Sequence, residues 1–361
     1  MVSKRFFHGA LEATTLHILV VMGICLCPQI IESSTPIVPA VILFGDSIVD
    51  PGNNNDMVTL AKGNFPPYGR DFIGHVPTGR FSNGKIPGDL IASSLGVKET
   101  VPAYVGQNLG DEDLLTGVSF ASGASGYDPM TPILTSVISM LDQLKFFDEY
   151  KEKLAAIVGE ERKNNIISES LFVVCSGTND LTNTYYLFPF RRAHYDITSY
   201  INFLVNKASG FLLKLHQMGA RKIAYVGLPP IGCLPFQRTV AGGFLRECAS
   251  SRNEAAMLYN SKITTELKRL DTNFGDTQLV YMDIYTILLD LVQRPSFYGF
   301  EVSDKGCCGT GELEAAVFCN PTLPTCQDDS KYVFWDSYHP TERAYKIIVD
   351  YLLQMNLKYL M

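Results

Sequence analysis

The sequence lacks the blocks of like charge that proteins use to bind nucleic acid. Its 361 residues contain 30 Lys and Arg against 37 Asp and Glu, a formal net charge of −7, and both signs are mixed along the chain. A protein that binds phosphate backbones concentrates Lys and Arg on one face. We therefore expect no nucleic-acid partner.

The sequence also lacks an apolar run long enough to span a bilayer. Its N-terminus has Lys4 and Arg5, followed by a short apolar stretch around residues 17–28. A basic start before such a stretch is typical of a secretory signal peptide, so we expect residues 1–30, an approximate boundary, to be removed. A membrane anchor or a buried helix is the alternative. The first interpretation predicts a secreted, extracellular protein.

One nucleotide-binding motif and one hydrolase motif are present only in incomplete form. The histidines also lack the spacing of metal ligands. The stretch GRFSNGKI has Ile86 where a P-loop needs Ser or Thr, and GASGY has Tyr127 where the G-x-S-x-G motif ends in glycine. A nucleotide site and the nucleophile-elbow α/β-hydrolase fold are therefore disfavoured. Three scattered histidines have no metal spacing and are expected to be structural: His75, His194 and His216. We expect no cofactor and no metal.

Nine cysteines are present, and two of them, Cys25 and Cys27, fall within the expected signal peptide. Cys233 and Cys248 flank a short loop rich in Pro and Gly. Four more crowd a second irregular stretch: Cys307, Cys308, Cys319 and Cys326. No histidine accompanies these four, so we expect disulfides rather than zinc, with three pairings open. Cys175 lies in an apolar run and is expected to be a buried free thiol. No N-x-Ser/Thr sequon occurs, so no N-glycan is expected.

Short, nearly continuous apolar runs alternate with amphipathic helical stretches, the clearest of which spans residues 197–218. The runs are residues 41–44, 118–121, 171–175, 222–228 and 278–284. Such runs suit strands covered on both faces, and the alternation predicts an α/β protein with a parallel sheet and helices on both sides. We see no linker or repeat, which favours a single domain, residues 38–358. Two long irregular insertions interrupt it, at 50–85 and 296–335.

Small polar residues follow three of these runs. Ser47, Gly123 and Asn179 each lie just beyond an expected strand, and in open α/β sheets ligands bind at that edge. Turn residues are the alternative explanation for any one of the three. A fourth cluster has Asp336 and His339 before Pro340, which we place early in the last helix. A serine nucleophile needs such a base, because its hydroxyl reacts poorly at neutral pH.

These motifs resemble the plant GDSL esterases/lipases of the SGNH hydrolase superfamily, most closely the extracellular lipase-like group. The likeness covers the expected mature chain through FGDSIVDPGNNN, GRDFIGHVPTGRFSNGK, GTND, GLPPIGCLP, KGCCGTGELE and DSYHPTERAY. It implies a three-layer α/β/α sandwich with a flavodoxin-like parallel sheet. It also implies a catalytic triad of Ser47, His339 and Asp336. The oxyanion hole would use the backbone N–H of Ser47, that of Gly123 and the side chain of Asn179.

The resemblance implies a secreted serine esterase that hydrolyses lipid, acyl or aryl esters through an acyl-enzyme. An acyltransferase using the same intermediate is an alternative, and a catalytically silent extracellular binding protein is another. The sequence leaves open whether a lipid surface takes part. Ser119 and Ala124 differ from the family's usual Asn and Gly. Asp46 and Asp50 are expected to be structural, and residues 183–190 to line either a pocket or the core.

Overall fold

The computed structural model describes residues 36–360. The expected signal peptide, residues 1–30, lies outside this part of the chain. Within residues 36–360, no helix combines the length and apolarity needed to cross a membrane.

A four-stranded parallel sheet forms the centre of the fold. The strands are β1 (Val41–Gly45), β2 (Leu171–Cys175), β3 (Lys222–Val226) and β4 (Gln278–Met282), and they lie in that order. Four of the five predicted strands are confirmed. The fifth, residues 118–121, is wrong as a regular strand, because only Ser119 forms bridges, to Leu43 and to Ala103. It still runs beside β1, on the side away from β2, which gives the flavodoxin-like order.

Consecutive side chains of β1 point to opposite faces of the sheet, as the pleat requires. Leu43 Cδ1 would lie 2.2 Å from a Cβ placed on Gly88, in the helix Pro87–Ser94. The ring of the next residue, Phe44, lies 5.6 Å from Phe147, in the helix Met140–Val158, and 5.6 Å from Phe211, in the helix Ile197–Gln217. The helices are α1 (Pro87–Ser94), α2 (Asp111–Thr116), α3 (Met130–Thr135), α4 (Met140–Val158), α5 (Glu160–Glu169), α6 (Pro189–Arg192), α7 (Ile197–Gln217), α8 (Pro235–Ala241), α9 (Ser250–Phe274), α10 (Ile284–Gln293) and α11 (Glu342–Asn356).

These helices cover both faces of the sheet. Helices α1, α10 and α11 pack together on one face, and α4, α7 and α9 pack together on the other. The arrangement confirms the expected three-layer α/β/α sandwich. Because both faces are covered, β1 and β2 are buried along their whole length, which explains their unbroken apolar sequences.

Three predicted boundaries shift, two of them because a helix is capped at that position. Strand β4 ends at Met282 because Asp283 caps α10, accepting the Thr286 N–H at 3.2 Å. Strand β3 ends at Val226, before Gly227. The placement of Pro340 within the last helix is wrong: Thr341 is the N-cap, accepting the Ala344 N–H at 3.3 Å, and α11 begins at Glu342.

Disulfides hold the irregular segments, as the cysteine spacing predicts. Cys233 pairs with Cys248, and the four crowded cysteines pair as Cys307–Cys326 and Cys308–Cys319. Two short strands, β5 (Val302–Gly306) and β6 (Tyr332–Phe334), form a small parallel sheet that sequence reasoning missed. They flank the segment that carries both nested disulfides, residues 307–326, which we call the cystine loop.

Candidate active site

Ser47 lies on the turn that leaves β1, and the exit at Gly45 requires glycine. Gly45 has a φ of 142°, and a Cβ there would lie 1.9 Å from the carbonyl oxygen of Cys175 on β2. The buried Gln143 side chain from α4 bonds both backbone groups of Gly45, accepting its N–H and donating to its carbonyl, each at 2.8 Å. Gln143 therefore fixes the backbone at the start of the turn that carries Ser47.

The structure brings Ser47, His339 and Asp336 into one hydrogen-bonded chain. The Oγ of Ser47 lies 2.8 Å from Nε2 of His339. The Nδ1 of His339 lies 2.7 Å from Oδ2 and 2.9 Å from Oδ1 of Asp336. Asp336 is fully buried and His339 is 7% exposed. Ser47 is half-buried and is the member of this hydrogen-bonded series that faces the cavity. This is the geometry that a serine nucleophile and its base need.

Residues 335–339 form a tight turn after β6. The Trp335 N–H donates to the His339 carbonyl at 2.7 Å, and the Ser337 N–H donates to the carbonyl of Glu314 in the cystine loop at 2.8 Å. The His339 ring also packs on Phe81, with ring centroids 5.1 Å apart. Phe81 belongs to the GRFSNGK segment, so this segment supports the histidine ring.

Asn179 follows β2 and points its amide toward the same site. Its Nδ2 donates to the Ser125 carbonyl at 3.0 Å, and its Oδ1 accepts from Nδ2 of Asn183 at 3.0 Å. The NH2 group has two hydrogens and donates only one of them, so the second remains for the cavity that both asparagines line. Sequence reasoning missed Asn183, whose spacing of four residues on a helical segment was the available signal.

Gly123 lies close to the site, but its N–H is already used. It donates to Oδ2 of the buried Asp50 at 2.7 Å, so it is not free for an oxyanion as the sequence led us to expect. The next residue, Ala124, lines the cavity, and its N–H has no acceptor among residues 36–360. Ala124 has a φ of 67°, a left-handed conformation that glycine would adopt without strain. The Ser47 N–H likewise has no acceptor within the described chain.

The asparagines after Ser47 fasten its turn to neighbouring segments. Asn53 Nδ2 donates to the carbonyls of Ser119 at 2.9 Å and Ala121 at 2.7 Å. Asn54 Nδ2 donates to the carbonyl of Gly123 at 3.0 Å. Short amide side chains can satisfy buried carbonyls at this range, and both asparagines are buried. They tie the turn bearing Ser47 to the segment bearing Gly123.

A cavity of about 240 Å³ opens above Ser47 and has mainly apolar walls. One wall is buried and includes Leu234, Ile284 and Leu288. Another is formed by exposed residues from separate segments, Leu187 and Phe318. Of the predicted aromatic stretch 183–190, Leu187 lines the cavity, whereas Tyr185 packs in the core, so both interpretations hold in part.

Burial raises the pKa of several carboxyl groups around the sheet edge. Desolvation raises the pKa of Asp46 to about 7, against a lowering by the Ile48 N–H that it accepts and by His339 nearby. The same cause raises the pKa of Asp50 to about 6 and that of Asp180 to about 7. Asp46 also lines the cavity. Above pH 4, and up to these raised pKa values, the three carboxyl groups are therefore protonated in the folded protein but ionised in the unfolded chain.

The Asp46→Asn variant is expected to change how stability depends on pH. A carboxyl pKa raised on folding contributes stability below the unfolded pKa near 4, and that contribution is lost as pH rises through the folded value near 7. A shift of about three units corresponds to at most about 4 kcal/mol. The free energy of unfolding, measured with urea at pH 5 and pH 8, should fall more steeply in the wild type than in Asp46→Asn. Parallel falls would contradict the raised pKa of Asp46.

Three other titratable candidates, His216, His75 and Cys175, lie outside the hydrogen-bonded series that contains Ser47. His216 stacks on Phe274 with centroids 4.1 Å apart, and the Nδ1 of His75 lies 2.6 Å from the Arg70 carbonyl. Cys175 is buried outside any disulfide, as predicted, and burial raises the pKa of its thiol. In the described chain, no group of three His, Cys, Asp or Glu side chains could hold a metal ion.

Comparisons with known proteins show which family this chain belongs to. The model of the GDSL-like Lipase/Acylhydrolase family matches residues 41–352. GDSL esterase/lipase EXL3 of Arabidopsis thaliana is 53% identical over 318 residues, 88% of this chain and 87% of that protein. A second GDSL esterase/lipase of the same plant is 51% identical over 327 residues, 90% and 92% of the two chains. An extracellular lipase from Streptomyces rimosus covers 87% of this chain and 100% of its own with 12% identity and a TM-score of 0.40, too distant to bear on function. The family match and the two Arabidopsis relatives show that the protein belongs to the GDSL-like lipase/acylhydrolase family, and it is a carboxylic ester hydrolase.

Proposed function

We propose that the protein is a secreted serine esterase that hydrolyses esters with apolar groups through an acyl-enzyme. The observation that carries this proposal is the chain from Asp336 through His339 to Ser47, with links of 2.7 and 2.8 Å, beside a mainly apolar cavity. The names of the relatives, esterase/lipase, support the same class of substrate. No cofactor takes part in this mechanism.

In the acylation step, Ser47 Oγ attacks the ester carbonyl carbon while Nε2 of His339 takes its proton. The carboxylate of Asp336 holds the proton on Nδ1, so that Nε2 is free to accept. As the tetrahedral intermediate collapses, the C–O bond to the alcohol breaks, and Nε2 returns the proton to the departing oxygen. Water then attacks the acyl carbon while Nε2 of His339 takes a proton from it. The bond from that carbon to Ser47 Oγ breaks, Nε2 returns the proton to Oγ, and the acid is released.

The negative oxygen of the intermediate needs fixed donors. We assign this role to the Ser47 N–H, to Nδ2 of Asn179 and to the backbone at residues 123–124. At that last position Ala124 offers the free N–H, because the Gly123 N–H donates to Asp50. Gly123 would keep its predicted role only by leaving this carboxylate. The bond from the Gly123 N–H to Asp50 holds the turn that carries the Ala124 N–H in place.

Secretion is part of the proposal and has separate support. The three disulfides, Cys233–Cys248, Cys307–Cys326 and Cys308–Cys319, need an oxidising compartment to form and persist. A short apolar stretch after two basic residues begins the sequence, as in secretory signals. Intact mass of the protein recovered from the medium would show whether about thirty residues are removed.

A fluorophosphonate probe tests the proposed nucleophile. The probe forms a covalent bond with activated serines, so the folded wild type should gain one adduct, which peptide mapping should place on Ser47. The Ser47→Ala variant should gain none. An unlabelled wild type with native circular dichroism would overturn the serine mechanism and favour a catalytically silent protein.

The Asn179→Ala variant is expected to lower kcat about a hundred- to a thousandfold, because it removes one oxyanion donor. Ester binding should change little, since this donor acts mainly in the transition state. Initial rates with p-nitrophenyl butyrate over a range of concentrations would separate kcat from KM. Asn202→Ala, on the exposed side of α7, serves as the control and should retain full activity. A loss below threefold in Asn179→Ala would remove Asn179 from the oxyanion hole.

A further inference from the structure

Tyr68 is a buried residue of the first insertion that contacts the proposed triad directly. Its side chain is 1% exposed, and its hydroxyl donates to Oδ2 of Asp336 at 2.7 Å. The same oxygen lies 2.7 Å from Nδ1 of His339. One carboxylate oxygen therefore receives both the imidazole N–H and the phenol O–H.

The bonds around Asp336 show what the phenol contributes. Oδ1 accepts the backbone N–H groups of Tyr338 at 2.8 Å and His339 at 2.7 Å, both from the turn that carries the aspartate itself. Tyr68 supplies the donor from outside that turn. Because Asp336 is fully buried, water from bulk solvent cannot readily replace the phenol. Hydrogen bonds to a buried charged acceptor are among the strong ones in proteins.

We propose that Tyr68 is a positioning residue of this hydrolase, fixing the carboxylate of Asp336 against His339 and tying both to the cystine loop. The inference rests on the proposed triad. Its geometric basis is that the Tyr68 hydroxyl makes two hydrogen bonds. It donates to Asp336, and it accepts the Ala316 N–H at 2.8 Å. Ala316 lies within the Cys308–Cys319 loop and lines the cavity. One hydroxyl thus bonds both to the cavity wall, at Ala316, and to the aspartate of the proposed triad.

The ring and the hydroxyl of Tyr68 have separable roles. The ring packs edge-on against Phe65, Phe81 and Trp335, with centroids 5.8 to 6.4 Å apart. A phenylalanine would keep these contacts. Burial and the adjacent Asp336 raise the pKa of Tyr68 far above its usual value, so the phenol stays protonated and able to donate.

The Tyr68→Phe variant tests the hydroxyl alone. We expect kcat for p-nitrophenyl butyrate to fall about 10- to 100-fold with KM changed less than twofold, since the lost bond supports the reacting base and not the ester. Without the phenol proton, the Asp336 carboxylate attracts the protonated imidazole more strongly. The midpoint of the acidic limb of the pH–rate profile should therefore rise.

Tyr104→Phe is the matched control. Tyr104 is also buried, its hydroxyl has no hydrogen-bond partner among residues 36–360, and it lies outside the cavity lining. This variant should keep the wild-type kcat and pH profile. Rates are referred to the protein that the fluorophosphonate labels at end point, so a partly misfolded preparation still gives a rate per active site.

Two results would overturn the inference. One is a Tyr68→Phe kcat within twofold of wild type. The other is a lowered rate with an unchanged pH profile, which would mean that Tyr68 only stabilises the fold. Failure of the proposed function is recognised separately, because the wild-type protein would then carry no adduct on Ser47.

Discussion

The Ser47→Ala variant is expected to fold normally and to lose ester hydrolysis about a hundred-thousandfold to a millionfold in kcat. The change removes one oxygen atom, which lies 2.8 Å from Nε2 of His339 and takes part in no other hydrogen bond of residues 36–360. Ser47 is half-buried and lines the cavity, so its oxygen does not contribute to packing of the hydrophobic core. The loss should therefore appear in kcat, with unfolding temperature almost unchanged.

Ser176→Ala controls for the removal of a serine hydroxyl near the same sheet edge. Ser176 follows β2, and its buried Oγ has no hydrogen-bond partner in the described chain. This variant should hydrolyse p-nitrophenyl butyrate at the wild-type rate and should still be labelled by the fluorophosphonate. If Ser47→Ala retained more than a few per cent of wild-type activity in freshly purified protein, another nucleophile would have to exist.

The central sheet could be predicted from sequence because its strands are covered on both faces. The run at 171–175 matches β2 to the residue, and the run at 41–44 falls one residue short of β1. The run at 118–121 is equally apolar but forms bridges only at Ser119. Apolar patterning reports burial, whereas a ladder also needs backbone partners over several residues, and the pattern does not report these.

The candidate site was likewise predictable only in part: its reacting residues could be predicted from sequence, but the contacts that support them could not. Motifs and family resemblance pointed to Ser47, Asn179, Asp336 and His339. The structure brings Ser47, Asn179 and His339 to one cavity, and Asp336 lies buried against His339. The supporting contacts were not predictable, because they join residues far apart in the chain. Tyr68 and Asp336 are separated by 268 positions, and Asp50 and Gly123 by 73. No local periodicity links such pairs, so the use of the Gly123 N–H by Asp50 became visible only in three dimensions.

The Asp336→Asn variant is expected to lower kcat about ten-thousandfold while leaving the cavity intact. An asparagine has one oxygen and one NH2 group where the aspartate has two acceptors. The two backbone N–H groups of Tyr338 and His339 both point at the Oδ1 position, so the amide oxygen should take that place. The NH2 group then lies at the Oδ2 position and faces Nδ1 of His339.

A donor at that position selects the wrong tautomer of His339. Nδ1 must accept from the NH2 group, which leaves the proton on Nε2, facing Ser47, where it cannot receive the serine proton. The NH2 group also meets the Tyr68 O–H, which loses its acceptor. Asp304→Asn, an exposed carboxyl on β5, is the control and should keep full activity. Rates with p-nitrophenyl butyrate, together with unfolding temperatures, would test this. A loss under tenfold in folded Asp336→Asn would mean that the tautomer of His339 is set by something other than Asp336.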